Sequence, residues 1–273
     1  MAEASAGGLI TAILLGVVQG LTEFLPVSSS GHLVVFQRWL AVHGDDVLFD
    51  LVLHLGTLVP ALWFYRADVL AVLRDTLAGV GPWLARPGVR LAAYVAVASV
   101  PTAAIGLAFE DTFEALFANP GAVGVAFALT GIWLALTRGR EEGRHDPSDL
   151  PWTSALLVGL AQGIAITPGI SRSGATIGAA LLLGLRRDVA VKLSFLMSVP
   201  AILGAVVLRI DDAQLEGVEP LHLLAGAVTA GGVGWFALRA LVWIVTTGRV
   251  AWFSGYLFVM SALTLLGVAL GWL

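Results

Sequence analysis

Gln19-Gly20-Leu21-Thr22-Glu23-Phe24-Leu25-Pro26-Val27-Ser28-Ser29-Ser30-Gly31-His32 begins as apolar helical sequence, breaks at a Pro-Ser cluster and then resumes. Apolar residues extend on both sides of the break, over 8–25 and 31–40. The pattern occurs a second time: 152–167 is apolar, Pro168-Gly169-Ile170-Ser171-Arg172-Ser173 is polar, and 174–185 is apolar again. A bilayer core about 30 Å thick needs roughly 20 helical residues at about 1.5 Å each. Arms of about 10 to 13 residues fall short of that span. Two re-entrant helix hairpins are therefore expected, with their broken backbone buried in protein or lining a polar cavity. A pair of kinked ordinary helices is the alternative.

Around these two regions lie six uninterrupted apolar segments, over 47–65, 91–109, 120–137, 189–208, 221–240 and 251–271. The chain of 273 residues is 58% hydrophobic and 12% charged, where a soluble domain carries about a quarter charged residues. Its mean hydropathy is +0.90. These values predict an all-α integral membrane protein. Cysteine is absent, which excludes disulfides, thiolate metal sites and a cysteine nucleophile. No Lys or Arg precedes the first apolar run, so the N-terminal segment reads as mature protein and not as a cleaved signal.

The two interrupted regions resemble each other. Gly16, Gln19, Gly20, Ser30 and Gly31 recur as Gly159, Gln162, Gly163, Ser173 and Gly174, each 143 residues later. This predicts one membrane domain, 1–273, made of two repeats: 1–140 with its hairpin at 8–40, and 150–273 with its hairpin at 152–185. Each repeat has one hairpin and three spans. An odd number of crossings inverts the second repeat, so the hairpins enter from opposite faces and can meet near the midplane. Charge gives the sidedness. Arg66, Arg74, Arg86, Arg90, Arg138, Arg140, Arg144, Arg186, Arg187, Lys192, Arg239 and Arg249 fall on one side, which the positive-inside rule makes cytoplasmic. Asp45, Asp46, Glu110, Asp111, Glu114, Asp211, Asp212, Glu216 and Glu219 fall on the other, with both termini.

Few ionisable residues remain at membrane depth: Glu23, His32, Arg172 and, more weakly, His54. A charge at mid-bilayer costs roughly 2.5–3.5 kcal/mol on insertion scales, which makes each a functional candidate. Gln19 and Glu23 are four apart and share a helix face. Their oxygens suit a hard cation such as Mg²⁺ or Ca²⁺, although Gln19 can equally hydrogen-bond between helices and Glu23 can pair with Arg172. Ser28, Ser171, Ser173 and Thr176 stand where helical arms begin, so they fit N-caps and also an anion site. Arg172 adds a guanidinium whose fork matches phosphate. His32 lies one turn after Ser29. It can take that hydroxyl's proton or protonate a leaving phosphate. His54 reads as structural or as a neighbour of the site, and His43, His145 and His222 read as loop or span-end residues without chemistry.

The quoted stretch resembles the first signature of the bacterial undecaprenyl-pyrophosphate phosphatase family of the bacitracin-resistance type. Pro168-Gly169-Ile170-Ser171-Arg172-Ser173-Gly174-Ala175-Thr176 resembles the second, and the likeness in length and hydropathy covers nearly the whole chain. The resemblance implies a multi-pass enzyme of the bacterial cytoplasmic (inner) membrane that removes the terminal phosphate from a polyprenyl pyrophosphate. It also implies a divalent cation, a site facing the periplasmic or outer side, carrier recycling for peptidoglycan and other envelope glycans, and bacitracin resistance. By position Glu23 falls on the acidic motif residue, Ser29 on the proposed nucleophile and His32 on the catalytic histidine. Ser28 belongs to the first loop, and Arg172, Ser171, Ser173 and Thr176 fall on the phosphate-binding signature. Gln19 stands where many members have Glu, which weakens the case for a two-carboxylate metal site.

The expected partners are the polyprenyl pyrophosphate and membrane lipids, with the prenyl tail left among lipids or in an apolar groove. A homodimer is compatible with the sequence. No Walker loop or dinucleotide fingerprint occurs, and nucleic acid is not an expected partner. A lipid flippase or anion transporter is the alternative from another class, because inverted repeats with broken helices also build transporters. A Ser–His pair beside a carboxylate and an arginine favours the enzyme, since transport needs no nucleophile.

Overall fold

The computed structural model describes residues 2–40, 47–78, 86–139, 143–146, 149–210 and 219–273. Arg140, Asp45, Asp46, Asp211, Asp212, Glu216 and His43, which figure in the sequence reading, lie outside the described residues. The first half of the chain folds as α1 (Ala2–Phe24), α2 (Ser29–Trp39), α3 (Val47–Phe64), α4 (Arg66–Leu77), α5 (Pro87–Ala108), α6 (Glu110–Phe117) and α7 (Pro120–Ala135). The second folds as α8 (Trp152–Ile164), α9 (Arg172–Leu182), α10 (Arg187–Arg209), α11 (Pro220–Thr246) and α12 (Phe253–Ala269), with a 3₁₀ turn over Val250–Trp252.

Among the described residues five helices are long and apolar enough to cross a membrane, and α6 with α7 makes a sixth if the pair is one span bent by 102°. The expected span over 120–137 is thus a shorter helix that starts at a corner. Pro120 occupies its first turn, where a missing N–H is harmless, and the Asn119 side chain caps Ala122 N at 3.1 Å. Both interrupted regions are broken helix pairs, α1–α2 and α8–α9. The first arm differs from expectation: α1 has 23 residues, of which the apolar part is Gly8–Phe24. The short helices α4 and α6 contain no buried residue.

Lipid tails are as apolar as leucine, so helices in a membrane associate through close packing of small residues. Gly16 and Gly20 place α1 against α11, where an added Cβ would lie 2.6 Å from the carbonyl oxygens of Gly226 and Ala230 respectively. Gly159 and Gly163, their counterparts 143 residues on, place α8 against α5. There an added Cβ would lie 2.0 Å from Ala98 O and 2.5 Å from Ile105 Cδ1. Each hairpin's first arm is therefore seated on a long helix of the other half. The α7–α12 pair is antiparallel, with Gly124 against Leu265 and Gly131 against Phe258. The outer faces carry exposed Val59, Trp63, Val100, Leu129, Phe236 and Val259, as a lipid-facing surface requires. The main buried cluster, which includes Phe127, Leu134, Ile177, Phe195 and Leu241, lies under the two broken loops.

Candidate active site

Each polar loop ends in a helix start built the same way. Ser28 caps α2 by accepting from Gly31 N at 3.3 Å, and Ser171 caps α9 by accepting from Gly174 N at 3.1 Å. Both capping hydroxyls also contact the serine two residues on, Ser30 at 3.3 Å and Ser173 at 3.2 Å. The loops are tied to each other. Gly169 N donates to Ser28 Oγ at 3.1 Å, and Ser173 Oγ donates to Leu25 O at 3.2 Å. Behind the second loop, Thr130 of α7 donates to Gly169 O at 3.1 Å and accepts from Ser171 N at 3.2 Å. Ser28 has φ +70°, the one positive φ at a non-glycine residue among those described. Its two amide contacts hold the backbone there.

Glu23 is the meeting point of the two hairpins. It lies next to the end of α1, where the helix dipole disfavours a carboxylate, and it is 6% exposed. Three groups offset this. Arg172 forms an ion pair and hydrogen bond through Nη2 to Oε1. Ser29 donates to Oε2 at 2.7 Å, and Gln19 Nε2 donates to the same oxygen at 3.0 Å. Ser29 and Arg172 are the first residues of α2 and α9, so the carboxylate sits at two positive helix ends. His54 Nε2 lies 3.6 Å from Oε2, while its Nδ1 donates to Asp50 O at 2.7 Å. The structure thus sets His54 beside the site.

Three sequence expectations change. First, His32 does not serve Ser29 here. Its Nδ1 lies 2.7 Å from Ser28 O and its Nε2 lies 2.7 Å from the hydroxyl of Tyr256, so both nitrogens are engaged. One helical turn of spacing puts two side chains on a common face, but the caps and Glu23 decide where each points. Second, most of the expected phosphate-binding hydroxyls are spent within the protein. Ser28, Ser171 and Ser173 cap or tie the loops, and Thr176 donates to Arg172 O at 2.9 Å and contacts Ser194 Oγ at 2.7 Å. All four are buried. Arg172, Ser29 and Ser30 keep partial exposure and remain to meet an anion, together with the helix-start N–H groups. Third, Gln19 turns its amide nitrogen toward Glu23, and its Oε1 is buried without a partner.

Tyr256 is the residue that sequence reasoning missed. It is one of three tyrosines and lies within an apolar span, where a phenol needs a hydrogen-bond partner. That was the available signal. His145 pairs with Leu185, and His222 packs against Gly8.

For a divalent cation, no group of three or more His, Asp or Glu residues converges among the described residues. The orphaned Gln19 Oε1 beside Glu23 nevertheless fits one, because Mg²⁺ is commonly held by one or two protein ligands plus substrate phosphates. Turning the amide over would place two oxygens together, an arrangement that calls for a cation between them.

Residues 12–263 match the family described as bacitracin resistance protein BacA. The chain is 42% identical over 265 residues to an undecaprenyl-diphosphatase of Carboxydothermus hydrogenoformans, covering 95% of this chain and 97% of that one. It is 41% identical over 266 residues to one from Desulfatibacillum aliphaticivorans, covering 93% and 96%. To one from Desulfosudis oleivorans it is 42% identical over 267 residues, covering 94% and 97%.

Proposed function

Because the chain belongs to the bacitracin resistance protein BacA family, its activity is that of a membrane undecaprenyl-diphosphatase, and we propose that Ser29, Glu23 and Arg172 carry the reaction. The reaction converts undecaprenyl pyrophosphate to undecaprenyl phosphate and phosphate, which returns the lipid carrier to peptidoglycan and envelope glycan synthesis. The observation behind the residue assignment is the Ser29 hydroxyl, which donates to one oxygen of Glu23 while Arg172 holds the other.

The pyrophosphate lies at the two helix starts, with Arg172 gripping phosphate oxygens by its fork. Glu23 Oε2 accepts the Ser29 proton as Oγ bonds to the terminal phosphorus. The anhydride P–O bond breaks, and the prenyl monophosphate leaves with the electron pair. Water then cleaves the phosphoserine, the proton returns to Ser29, and inorganic phosphate departs. His32, with Nε2 directed away from Ser29, handles proton traffic on the prenyl-phosphate side. Trapping of phosphoserine on the wild-type chain tests this route. Ser29→Ala should lower phosphate release from undecaprenyl pyrophosphate by about 10²–10⁴-fold. Substantial turnover by that variant would assign the attack to water activated by Glu23.

Glu23 and Gln19 would hold a Mg²⁺ or Ca²⁺ together with the substrate's phosphates. The cation supplies charge that the pair Glu23–Arg172, neutral in sum, does not. EDTA should abolish phosphate release and added cation should restore it. Gln19→Glu should lower the cation concentration for half-maximal activity, on the order of tenfold, by adding ligand charge. An unchanged requirement would move the cation away from Gln19.

The exchanged seating of α1 on α11 and α8 on α5, and the two serine caps of one design, support reading the halves as inverted repeats. The distribution of arginines supports placing the arginine-rich helix ends on the cytoplasmic side, and a site open to the outer face is what the family resemblance implies.

A further inference from the structure

His32 is 2% exposed and fully committed. A carbonyl oxygen can only accept, so the 2.7 Å contact with Ser28 O puts the proton on Nδ1. In the neutral ring Nε2 is then an acceptor, and the Tyr256 hydroxyl, 2.7 Å away, is its donor. The two rings also stack, with centroids 5.7 Å apart and planes inclined by only 6°. Phe127 closes the imidazole from the side, edge-on at 5.1 Å. Tyr256 itself is 44% exposed, on the outward side of α12 with Val259 and Leu263. The His32 nitrogen free of backbone is therefore capped by a phenol on the outward side of α12.

We propose that Tyr256 is the positioning residue of His32: its hydroxyl fixes the imidazole in the Nδ1–H form and keeps Nε2 directed at the lipid-facing edge of the site, where a prenyl-linked phosphate arrives. This rests on the reading that His32 takes part in the reaction. The hydroxyl group alone carries the effect, since a phenylalanine would retain the ring stack. A protonated phosphate oxygen (P–OH), which can donate as the phenol does, takes the phenol's place at Nε2, so the ring needs no rotation when substrate binds. Arg172 is held by Glu23 and not by Tyr256, which separates the effect of Tyr256 from the phosphate grip.

The test is Tyr256→Phe in the full-length protein, assayed for phosphate release from undecaprenyl pyrophosphate in detergent. A kcat lowered on the order of 10- to 100-fold, with KM changed less than about threefold, is expected for loss of an orienting partner. Nitrogen-15 NMR of histidine-labelled protein, with His32 assigned through His32→Gln, reads the ring directly. The wild type should show the Nδ1–H form, and the Nε2 resonance should move in Tyr256→Phe. Unchanged kcat, a loss confined to KM, or an unmoved Nε2 resonance would each overturn the proposal. Full activity in His32→Gln would instead sink the role given to His32, with the NMR result still deciding whether Tyr256 sets the ring.

Discussion

Glu23→Gln is expected to reduce phosphate release by about 10²–10⁴-fold, the range spanned by general-base groups. The substitution keeps the size of the side chain and removes its charge. A neutral amide has one oxygen and one nitrogen, yet Arg172, Ser29 and Gln19 all donate to this group. At least one donor loses its acceptor, and Ser29 loses its base. Breaking a buried ion pair from one side costs about 3–5 kcal/mol when the remaining charge is fully enclosed. The Arg172 side chain keeps 19% exposure, so the loss of stability should fall below that range. Phosphate release and the thermal midpoint, measured on the same preparation, separate the two effects. If more than a tenth of wild-type turnover survived in an intact protein, the base would have to be another group.

Gly31→Ala should be nearly as damaging without touching any charged group. A Cβ at Gly31 would lie 2.7 Å from Gly169 Cα, 2.9 Å from Gly169 N and 2.8 Å from Phe127 Cζ. Two of these atoms are backbone and cannot rotate aside. Gly169 has φ +91°, and a Cβ added there would lie 2.6 Å from Val123 O, so the second loop has little room to retreat. The loops must part by several tenths of an ångström, which separates Ser29 and Glu23 on one hairpin from Arg172 on the other. Overpacking of this kind costs about 1–3 kcal/mol, and a displacement near 1 Å can lower the rate about 10²-fold. Gly204→Ala, inside α10 where nothing lies within 4 Å, is the control and should leave activity unchanged without lowering the thermal midpoint. Wild-type kcat/KM in Gly31→Ala would show that the two loops do not need their close approach.

The interruptions at Pro26 and Pro168 were legible because proline and serine in long apolar sequence have few explanations. Glu23 and Arg172 were legible because charge at membrane depth is expensive. Their partners were less so. The Glu23–Arg172 pair, 149 residues apart, was open only as one alternative, and the His32–Tyr256 pair, 224 residues apart, was not foreseen. A helical wheel ranks neighbours one turn away and is silent on such pairs. Hydroxyl roles were hidden for a related reason: a serine at a helix start suits a cap or an anion equally, and only the observed distances separate Ser28 and Ser171 from Ser29. The corner at Asn119 was missed because apolar character runs through α7 regardless of the direction in which its first turn sets off.

The crossed seating of the hairpins bears on how the protein is made. As the chain leaves the ribosome, Glu23 enters the bilayer long before Arg172 exists to balance it, and the glycine face of α1 has no cover until α11 is synthesised. Neither half can finish alone. The early segments must wait, partly unpacked, for nearly the whole polypeptide, so competence arrives in one late step and a truncated product is left with a carboxylate in lipid that lacks its guanidinium.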